Sequence, residues 1–353
     1  MQRIKLTDVA RAAGVHPGTA SRALNPLTRE QVSQATSRRV ARAAQRLGYI
    51  PNTLARGLRT ARSFIIGMVV PDVANPLFPP MVRGAEQVLS KAGYTLVLTD
   101  TDNDASTERR QIEQLRARGT DGFIVATARW RDPLLDEIAE AGVPAVLVNR
   151  NTSTGRLPYV GGDERTGIKQ AVDHLVGLGH RHIAHLGGPQ DTSTGRERAA
   201  AFRQATHQHG LPSTRGLIRA CTSYTEAAGA AAAGRLVASG QEFTAVIAGN
   251  DLIAFGVLSV LGQAAISCPD QVSLIGFNDM PHLDKLAPPL TTVRLPLAEM
   301  GAQAARILLD KIEQSASDSP VTQSLLGVEL VVRGSTAAPV PRFSNNSHAL
   351  NAR

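Results

Sequence analysis

Two stretches of the sequence contain residue types that could do chemistry, and both lack a necessary part. The tract from His180 to His185 has three histidines, which are common metal ligands. In a strand, however, His182 and His185 point to opposite faces, and no carboxylate motif completes a metal site, so surface and turn positions are favoured. Residues 162–169 nearly match a phosphate-binding loop, but Ile168 separates the glycine from the lysine, and no predicted strand closely precedes the segment.

Other features of the sequence also argue against an enzyme. It contains neither a GxSxG nucleophile motif nor an HExxH zinc motif, so we expect no catalytic residue, metal or cofactor. Aromatic residues make up 4% of the chain, which is too few for a surface that stacks the bases of single strands. The two cysteines, Cys221 and Cys268, form no CxxC pair, which indicates no disulfide framework and fits a reducing compartment.

The clearest chemical signal is a cluster of cations at the N-terminus. Residues 1–62 carry twelve Lys and Arg but two carboxylates, a net charge of +10, whereas the remaining residues have 26 basic and 28 acidic side chains. A solvated basic face would be the simpler explanation. Binding to the phosphates of a polyanion needs such clustering, however, and the asymmetry predicts a nucleic-acid partner for one end of the chain.

Two short helices joined by a glycine turn are predicted inside the basic segment. Apolar residues at helical spacing predict a first helix over residues 6–13, which Gly14 ends in the left-handed conformation. A second helix begins at His16 or Pro17, because proline at the first helical position loses no bond that the helix needs, and reaches about Ala23. This is the helix-turn-helix geometry, in which the second helix lies in the major groove.

A third helix and a linker follow the predicted helix pair. The third helix, capped by Ser33, carries an apolar stripe that completes a three-helix core. Residues 53–59 are too short and too basic to fold independently, and we expect a hinge that orders on DNA.

These segments resemble the head and hinge of the LacI/GalR (lactose-repressor) family of bacterial transcription regulators. The similarity rests on residues 6–10, 13–15, 19–25, 47–52 and 55–59, and it continues through almost the whole chain. It implies that the second helix reads a half-site of the DNA. Pro17, Gly18 and Arg22 would lie at specificity positions, and Thr19 and Ser21 near the phosphates. The predicted DNA-binding residues are His16, Pro17, Gly18, Thr19, Ser21, Arg22, Asn25 and Leu58.

Three of these residues have specific expectations attached. The guanidinium of Arg22 can bind O6 and N7 of guanine together, which contributes about 1–3 kcal/mol of discrimination. His16 stands where serine is common in the family, so the usual hydroxyl cap is expected to be missing. The resemblance implies that Leu58 of each subunit wedges into the minor groove at the centre of a palindrome and kinks it. The alternative for Leu58 is a linker residue packed on the body.

From Phe64 onward, short apolar runs alternate with amphipathic segments. Strands are predicted at residues 65–70, 95–98, 122–125, 145–148, 182–186, 245–248 and 272–277. Helices are predicted at residues 81–92, 108–118, 166–177, 198–209, 227–239 and 251–261. This alternation indicates parallel sheets with helices on both faces. A composition break at residues 151–158 suggests two lobes, and the resemblance implies the architecture of periplasmic binding proteins, in which the chain returns to lobe one after about Leu290.

The predicted fold is an all-α helix-turn-helix head plus an α/β body of two parallel-sheet lobes. The domains are a DNA-binding head at 1–50, a hinge at 51–62, an effector-binding and dimerisation body at 63–340, and a flexible tail at 341–353. Lobe one comprises about 63–160 and 291–325, and lobe two about 161–290 and 326–336. The tail lacks leucine heptads, so a homodimer is expected rather than a tetramer.

Polar side chains follow the predicted strands, where ligands of open parallel sheets bind. These side chains are expected to form a polar ring around the cleft between the lobes. The ring includes Arg150, Asp251 and Asp279 in addition to eight predicted effector-binding residues, which are Asp72, Asn75, Phe78, Asn149, Arg196, Arg198, Asn250 and Asn278. Amide, carboxylate and guanidinium groups together can hold the hydroxyls of a sugar, and Phe78 can stack on it. The resemblance implies effector contacts for Asn149, Arg198, Asn250 and Asn278, although several members carry Asp in place of Asn149 and Asn278.

Simpler explanations exist for part of this ring. Asp and Asn are common turn formers and helix caps after strands, so each could be structural. Arg198 is a stronger candidate, because a lone guanidinium beside the Gly-Gly-Pro loop has no obvious capping role.

The sequence therefore predicts a dimeric, sequence-specific DNA-binding regulator, a repressor, that a small-molecule effector such as a sugar controls. The alternative is a solute-binding protein or an enzyme on the same lobes, with a fortuitous basic head. Residues 1–8 contain no apolar signal region, and no stretch approaches the roughly 20 apolar residues of a membrane span, so we expect a cytoplasmic protein without membrane contact.

Overall fold

The computed structural model describes residues 4–25, 28–49, 62–212, 216–313 and 321–340. The predicted hinge up to residue 61, including Leu58, and the predicted tail therefore lie outside the described residues.

The head is a bundle of three helices. They are α1 (Leu6–Ala12), α2 (Pro17–Leu24) and α3 (Gln34–Leu47), and a short 3₁₀ turn (Arg29–Gln31) precedes α3. Small apolar side chains around Val9 and Val40 form the shared core. Gly14 adopts φ 62° in the turn between α1 and α2, and the Ser33 hydroxyl accepts a hydrogen bond from the Thr36 amide at 3.4 Å. Both features agree with the sequence prediction.

The body alternates strands and helices along the chain. Its first half contains β1 (Ile65–Val70), α4 (Phe78–Lys91), β2 (Thr95–Asp100), α5 (Ala105–Ala117), β3 (Gly122–Val125), α6 (Pro133–Glu140), β4 (Ala145–Val148), β5 (Tyr159–Gly162) and α7 (Glu164–Gly177). Its second half contains β6 (Ile183–Gly187), α8 (Ser193–Gln208), β7 (Ile218–Ala220), α9 (Glu226–Ala238), β8 (Ala245–Ala248), α10 (Asp251–Gln263), β9 (Ser273–Asn278), β10 (Thr291–Arg294), α11 (Leu297–Glu313), β11 (Gln323–Leu326) and β12 (Glu329–Val331).

Two six-stranded sheets organise the two lobes. The order in the first sheet is β11-β5-β4-β3-β1-β2, and all of its neighbours are parallel. The order in the second sheet is β12-β10-β9-β8-β6-β7. In the second sheet β12 runs antiparallel to β10. The prediction of a parallel sheet therefore holds for the other five strands of this lobe and not for β12. Strands β3, β4 and β8 are buried throughout, as expected when helices cover both faces of a parallel sheet.

The chain passes between the lobes three times. It leaves the first sheet after β5, returns after β10 and leaves again after β11. Because β10 pairs with β9, residues 291–294 belong to the second sheet, and the chain returns to lobe one after Arg294 rather than after Leu290. The returning helix α11 packs on α4, where Gly84 lies against Ala298 and Gly301 against Met81.

The seven predicted strands and six predicted body helices are all present; β1, β3, β4 and β8 have the predicted bounds, and the ends of the others differ by up to five residues. Five strands (β5, β7, β10, β11 and β12) and two helices (α6 and α11) have no counterpart among the predicted segments. The statement that no strand closely precedes residues 162–169 was also wrong, because β5 ends at Gly162.

Residues 180–182 of the histidine tract lie in the connection before β6, but two of the three histidines are buried, contrary to the prediction of surface positions. His185 lies on β6, fully buried, where it stacks on Phe202 at 5.1 Å between ring centroids. Its Nδ1 lies 2.9 Å from the Ile247 carbonyl oxygen, and burial lowers the pKa of His185 to about 4. His180 is also buried and bonds Thr244. Side chains on both faces of β6 are buried because helices cover both faces of this sheet, so a strand residue that points away from one face is not exposed to solvent.

The described residues contain neither a metal-binding cluster nor a membrane-spanning helix. No group of three or more His, Cys, Asp or Glu in them could hold a metal ion. None of the helices in the described ranges has the length and apolar character to cross a membrane.

Candidate functional site

The N-terminal half of α2 presents a polar surface to solvent. Ala20 and Ala23 point into the head core, while His16 and Arg22 are exposed and the side chains between them are partly exposed. The Nδ1 atom of His16 accepts a hydrogen bond from the Gly18 amide at 3.2 Å. The helix therefore has a side-chain cap after all, because the imidazole replaces the hydroxyl that the sequence lacks.

The cations of the head are available to a ligand. Every Lys and Arg in its described part is exposed, namely Lys5, Arg11, Arg22, Arg29, Arg38, Arg39, Arg42 and Arg46. Arg22 donates from Nε to the Gly18 carbonyl at 3.4 Å, which holds the side chain along α2. Such a surface can bind phosphates without any rearrangement of buried ion pairs.

A second polar site lies between the two lobes, at the carboxyl ends of the strands. An inner cavity of about 20 Å³ is lined by Asn75, Leu77, Phe78, Asn149, Arg150, Thr194, Arg198, Tyr224, Asn250 and Asn278. An outer cavity of about 230 Å³ shares Asn75, Arg150 and Tyr224 with it and adds Asp72 and Asp191. The inner cavity has room for one water molecule, so the lobes are close together in this structure.

Six of the eight predicted effector residues line the inner cavity. Asp72 lines only the outer one. Arg196 lines neither, because it lies on the exposed face of α8, over the Trp130 ring at 5.0 Å from the centroid. Leu77, Thr194 and Tyr224 were missed. Thr194 belongs to the first turn of α8, and Tyr224 follows a strand that the sequence reading did not predict.

Two of the amides also have the structural roles that the simpler explanation gave them. Asn250 caps α10 by accepting a hydrogen bond from the Ile253 amide at 2.8 Å. Asn75 closes a turn by accepting one from the Leu77 amide at 3.0 Å. In each case the fold uses the carbonyl oxygen of the side chain, and the Nδ2 atom of Asn250 also donates to the Tyr224 carbonyl at 3.4 Å.

Asn149 and Asn278 hold unusual backbone conformations at the cavity wall. Their φ angles are 68° and 115°, in the range that few residues other than glycine adopt. The Oδ1 atom of Asn278 is buried without a hydrogen-bond partner among the described residues. Strained backbone and unsatisfied polar atoms concentrate at ligand sites, because selection for binding offsets their cost in stability.

Arg198 is not the lone guanidinium that the sequence suggested. Its Nε donates to Oε2 of Glu164 at 2.5 Å, its Nη1 donates to the Gly249 carbonyl, and its guanidinium carbon lies 3.7 Å from the centroid of the Phe277 ring. Both charged partners are buried. The pairing was missed because the first turn of α7 meets α8 only after folding.

Asp251 stabilises the loop after β9 from a buried position behind the cavity wall. Its carboxylate accepts hydrogen bonds from the Met280 amide at 2.9 Å and the Thr292 hydroxyl at 2.6 Å. Burial raises the pKa of Asp251 to about 7, although these hydrogen bonds oppose the effect. Asp279, also in the predicted ring, pairs with Arg294 and Arg333. These two carboxylates support the wall and do not line the inner cavity.

Comparison with known proteins bears on both sites. Residues 5–52 match the lacI family of bacterial regulatory proteins, and residues 172–336 match the periplasmic binding protein-like domain. An uncharacterised HTH-type transcriptional regulator in the aml 5′ region of Streptomyces limosus is 35% identical over 345 residues, covering 96% of this chain and 95% of that protein. This chain belongs to the LacI family.

Solved structures agree with this assignment. The complex of the transcriptional regulator CelR with cellobiose is similar at 31% identity, with a TM-score of 0.72 over 94% of this chain and 100% of that one. The lac repressor dimer bound to operator and an anti-inducer shares the fold, with a TM-score of 0.79 at 24% identity over 96% of this chain and 100% of that one. The predicted family and the predicted fold of head and two lobes are thereby confirmed.

This LacI-family chain is a DNA-binding transcriptional regulator with an effector-binding body. Its relatives are regulators rather than enzymes. In the structure its two lobes touch across the mouth of the cleft. The Trp130 amide donates to the Asp191 carbonyl at 2.6 Å, and the Asn151 amide donates to the Ser193 hydroxyl at 2.8 Å.

Proposed function

We propose that this regulator is a cytoplasmic repressor that binds a pseudo-palindromic operator as a homodimer, and that a small polyhydroxylated metabolite in the cleft controls its affinity. The observation that carries the proposal is the combination, in one chain, of a helix-turn-helix with exposed cations and a polar cavity between two lobes. The proposed location in the cytoplasm is inferred from the proposed DNA partner, since operator DNA lies in that compartment. The cellobiose complex of a similar regulator supports a carbohydrate as the effector.

The DNA half of the proposal assigns roles to the exposed side of α2. Arg22 reads a guanine through two hydrogen bonds, and Thr19 and Ser21 contact phosphates. His16, Pro17, Gly18 and Asn25 complete the surface that faces the groove. Leu58, in the hinge outside the described residues, enters the minor groove from each subunit.

The proposed dimer uses the free edge of the first lobe. Strand β2 is the edge strand of the first sheet; its residue Leu98 is 38% exposed, and Val73, in the loop after β1, is 49% exposed. Next to them is an apolar hollow of about 400 Å³, lined by Val82 and Phe78 among others. A second copy related by a two-fold axis would cover this edge and this hollow. Two heads on that axis would meet two half-sites of opposite direction.

The effector half of the proposal links the cleft to the head through the first lobe. The inner cavity admits a sugar only if the lobes separate, since its volume is about 20 Å³. Arg62, the last residue of the predicted hinge and the point where the described chain resumes, donates from Nη2 to the Ile312 carbonyl of α11 at 2.9 Å. Helix α11 directly follows the passage from the second lobe, so rotation of the lobes moves the point where each hinge begins. Whether the effector weakens or strengthens operator binding depends on the lobe arrangement that it prefers.

Gel-shift titration with genomic fragments tests the proposal. We expect the full chain to select one palindromic sequence at moderate salt, with two chains per duplex. The control is a variant that lacks residues 1–62, which should lose DNA binding and keep ligand binding. Uniformly weak binding to all fragments would refute the regulator function, because phosphate contacts alone give no sequence preference. One chain per duplex would refute the dimer.

A further inference from the structure

Arg150 is a buried cation without a charged partner. It directly follows Asn149 after β4, is 8% exposed and lines both the inner and the outer cavity. Within the described ranges no carboxylate lies within salt-bridge distance of it, and its Nε has no hydrogen-bond partner. Its guanidinium carbon lies 5.7 Å from the centroid of the Tyr224 ring. Burial lowers the pKa of Arg150, and the neighbouring Tyr224 and Asp191 offset this only in part.

Three other guanidinium groups near the cleft are compensated by carboxylates. Arg198 pairs with Glu164 at 2.5 Å, Arg129 with Glu108 at 3.0 Å, and Arg333 with Asp279 at 2.6 Å. Burying a charge without a partner costs free energy, so a fold selected for stability alone would not retain Arg150 in this place. A charged group that is perturbed in this way and lines a cavity is a candidate for ligand binding.

The charges around the two cavities differ. Among the residues that the structure describes, no Asp or Glu lines the inner cavity, and the charge of Arg198 is neutralised by Glu164 behind it. The net charge at the inner wall therefore comes from Arg150. The outer cavity has two carboxylates, on Asp72 and Asp191. Carboxylates accept hydrogen bonds from hydroxyl groups, whereas a guanidinium donates two parallel hydrogen bonds to a carboxylate or a phosphate.

We propose that the effector is an organic anion, a polyhydroxylated compound with one carboxylate or phosphate group, and that this group pairs with Arg150. The inference deepens the proposed function, because it concerns the same cleft. The anionic group points to the inner wall, between Arg150 and the amides of Asn149 and Asn278. The hydroxyl groups point to the outer cavity, where Asp72 and Asp191 accept their hydrogen bonds. A neutral sugar would leave the charge of Arg150 uncompensated when the lobes close.

Calorimetric titration with matched compounds tests the ligand class. The panel holds glucose, gluconate, glucuronate and glucose 6-phosphate, the corresponding galactose set, and inorganic phosphate. We expect at least one charged compound to bind roughly ten-fold or more tightly than its neutral twin, as a charge-assisted hydrogen bond implies. The carboxylate and phosphate members show which group is preferred. Arg150→Lys should keep the preference for charge, and Arg150→Met should remove it. Neutral sugars that bind as tightly as their charged twins would overturn the proposal.

A second measurement needs no ligand. Removal of an uncompensated buried charge should stabilise the free protein, so Arg150→Met should raise Tm by about 2 °C or more. The matched control is Arg131→Met at the mouth of the cleft, where the side chain is exposed and no gain is expected. A lower Tm for Arg150→Met would overturn the proposal, because it would show that Arg150 supports the fold. Gel shifts with the same variants keep this result separate from the proposed function, since operator binding by the free protein depends on the head.

Discussion

Replacement of Glu164 by glutamine should destabilise the body of the protein strongly. Glu164 and Arg198 are 2% and 2% exposed, and their side chains meet at 2.5 Å between Oε2 and Nε. Glutamine has almost the same shape and can still accept a hydrogen bond from Arg198. The substitution therefore removes the negative charge and leaves the guanidinium buried over Phe277 without compensation.

The expected loss follows from the burial of both partners. Removing one member of a buried pair typically costs about 3–5 kcal/mol, because the remaining charge has no solvent around it. The retained hydrogen bond favours the lower end of this range. For a body of this size, a loss of about 3 kcal/mol corresponds to a decrease in Tm of roughly 6–12 °C.

Urea unfolding monitored by circular dichroism measures this loss. The control is Glu137→Gln, which breaks the pair between Arg109 and Glu137 on the surface, where both side chains are about half exposed and the stability should not change measurably. A Glu164→Gln variant as stable as the Glu137→Gln control would refute the reasoning. It would show that the charge of Arg198 is compensated by something other than Glu164, such as solvent that enters the inner cavity.

Three further predictions concern other parts of the chain. Arg22→Ala should relax base choice at one half-site position by about 1–3 kcal/mol, and an unchanged consensus in a selection from randomised operators would contradict the assigned role. His185 has a pKa of about 4 in the fold, below its value of about 6.5 in the unfolded chain, so the stability that it contributes is present above pH 6.5 and lost as the pH falls towards 4. The free energy of unfolding of the His185→Asn variant should therefore depend less on pH between pH 4 and 7 than that of the original protein, by up to about 3 kcal/mol over this range. Parallel curves for the two proteins would contradict this prediction. Gly84→Ala should lower the free energy of unfolding by about 1–3 kcal/mol, because the added Cβ would overlap the Ala298 carbonyl between α4 and α11. Gly234→Ala, in open space on α9, should cause no loss of stability. Equal changes in Tm for the two variants would disprove the close packing of α4 and α11.

The sequence predicts best the elements with continuous apolar runs. Strands such as β3 and β4 consist of buried apolar residues alone and were placed at their observed bounds. Strand β5 ends in two glycines, and β10 begins with two threonines, so neither run is apolar enough to be distinguished from a loop. Both are strands because their backbones pair on both sides with other strands: β5 with β4 and β11, and β10 with β9 and β12.

The cavity residues were predictable as far as they follow strands. The strand-end rule placed Asn149, Asn250 and Asn278 at the inner cavity because these residues directly follow or end β4, β8 and β9. It misplaced Arg196, which shares α8 with Arg198 but lies on another face of the helix. It could not reveal the partner of Arg198, since Glu164 lies 34 residues away and only tertiary packing joins them.

The order of the strands along the chain has a consequence for biosynthesis. Each lobe takes one edge strand, β11 or β12, from residues 323–331, near the carboxyl end of the body. A ribosome therefore exposes the whole head long before either sheet can be completed, and domains that are complete fold as they emerge. The DNA-binding head should therefore fold on the nascent polypeptide before the effector-binding body does, and a premature stop codon between residues 62 and 323 should yield a product that retains the head and lacks both complete sheets.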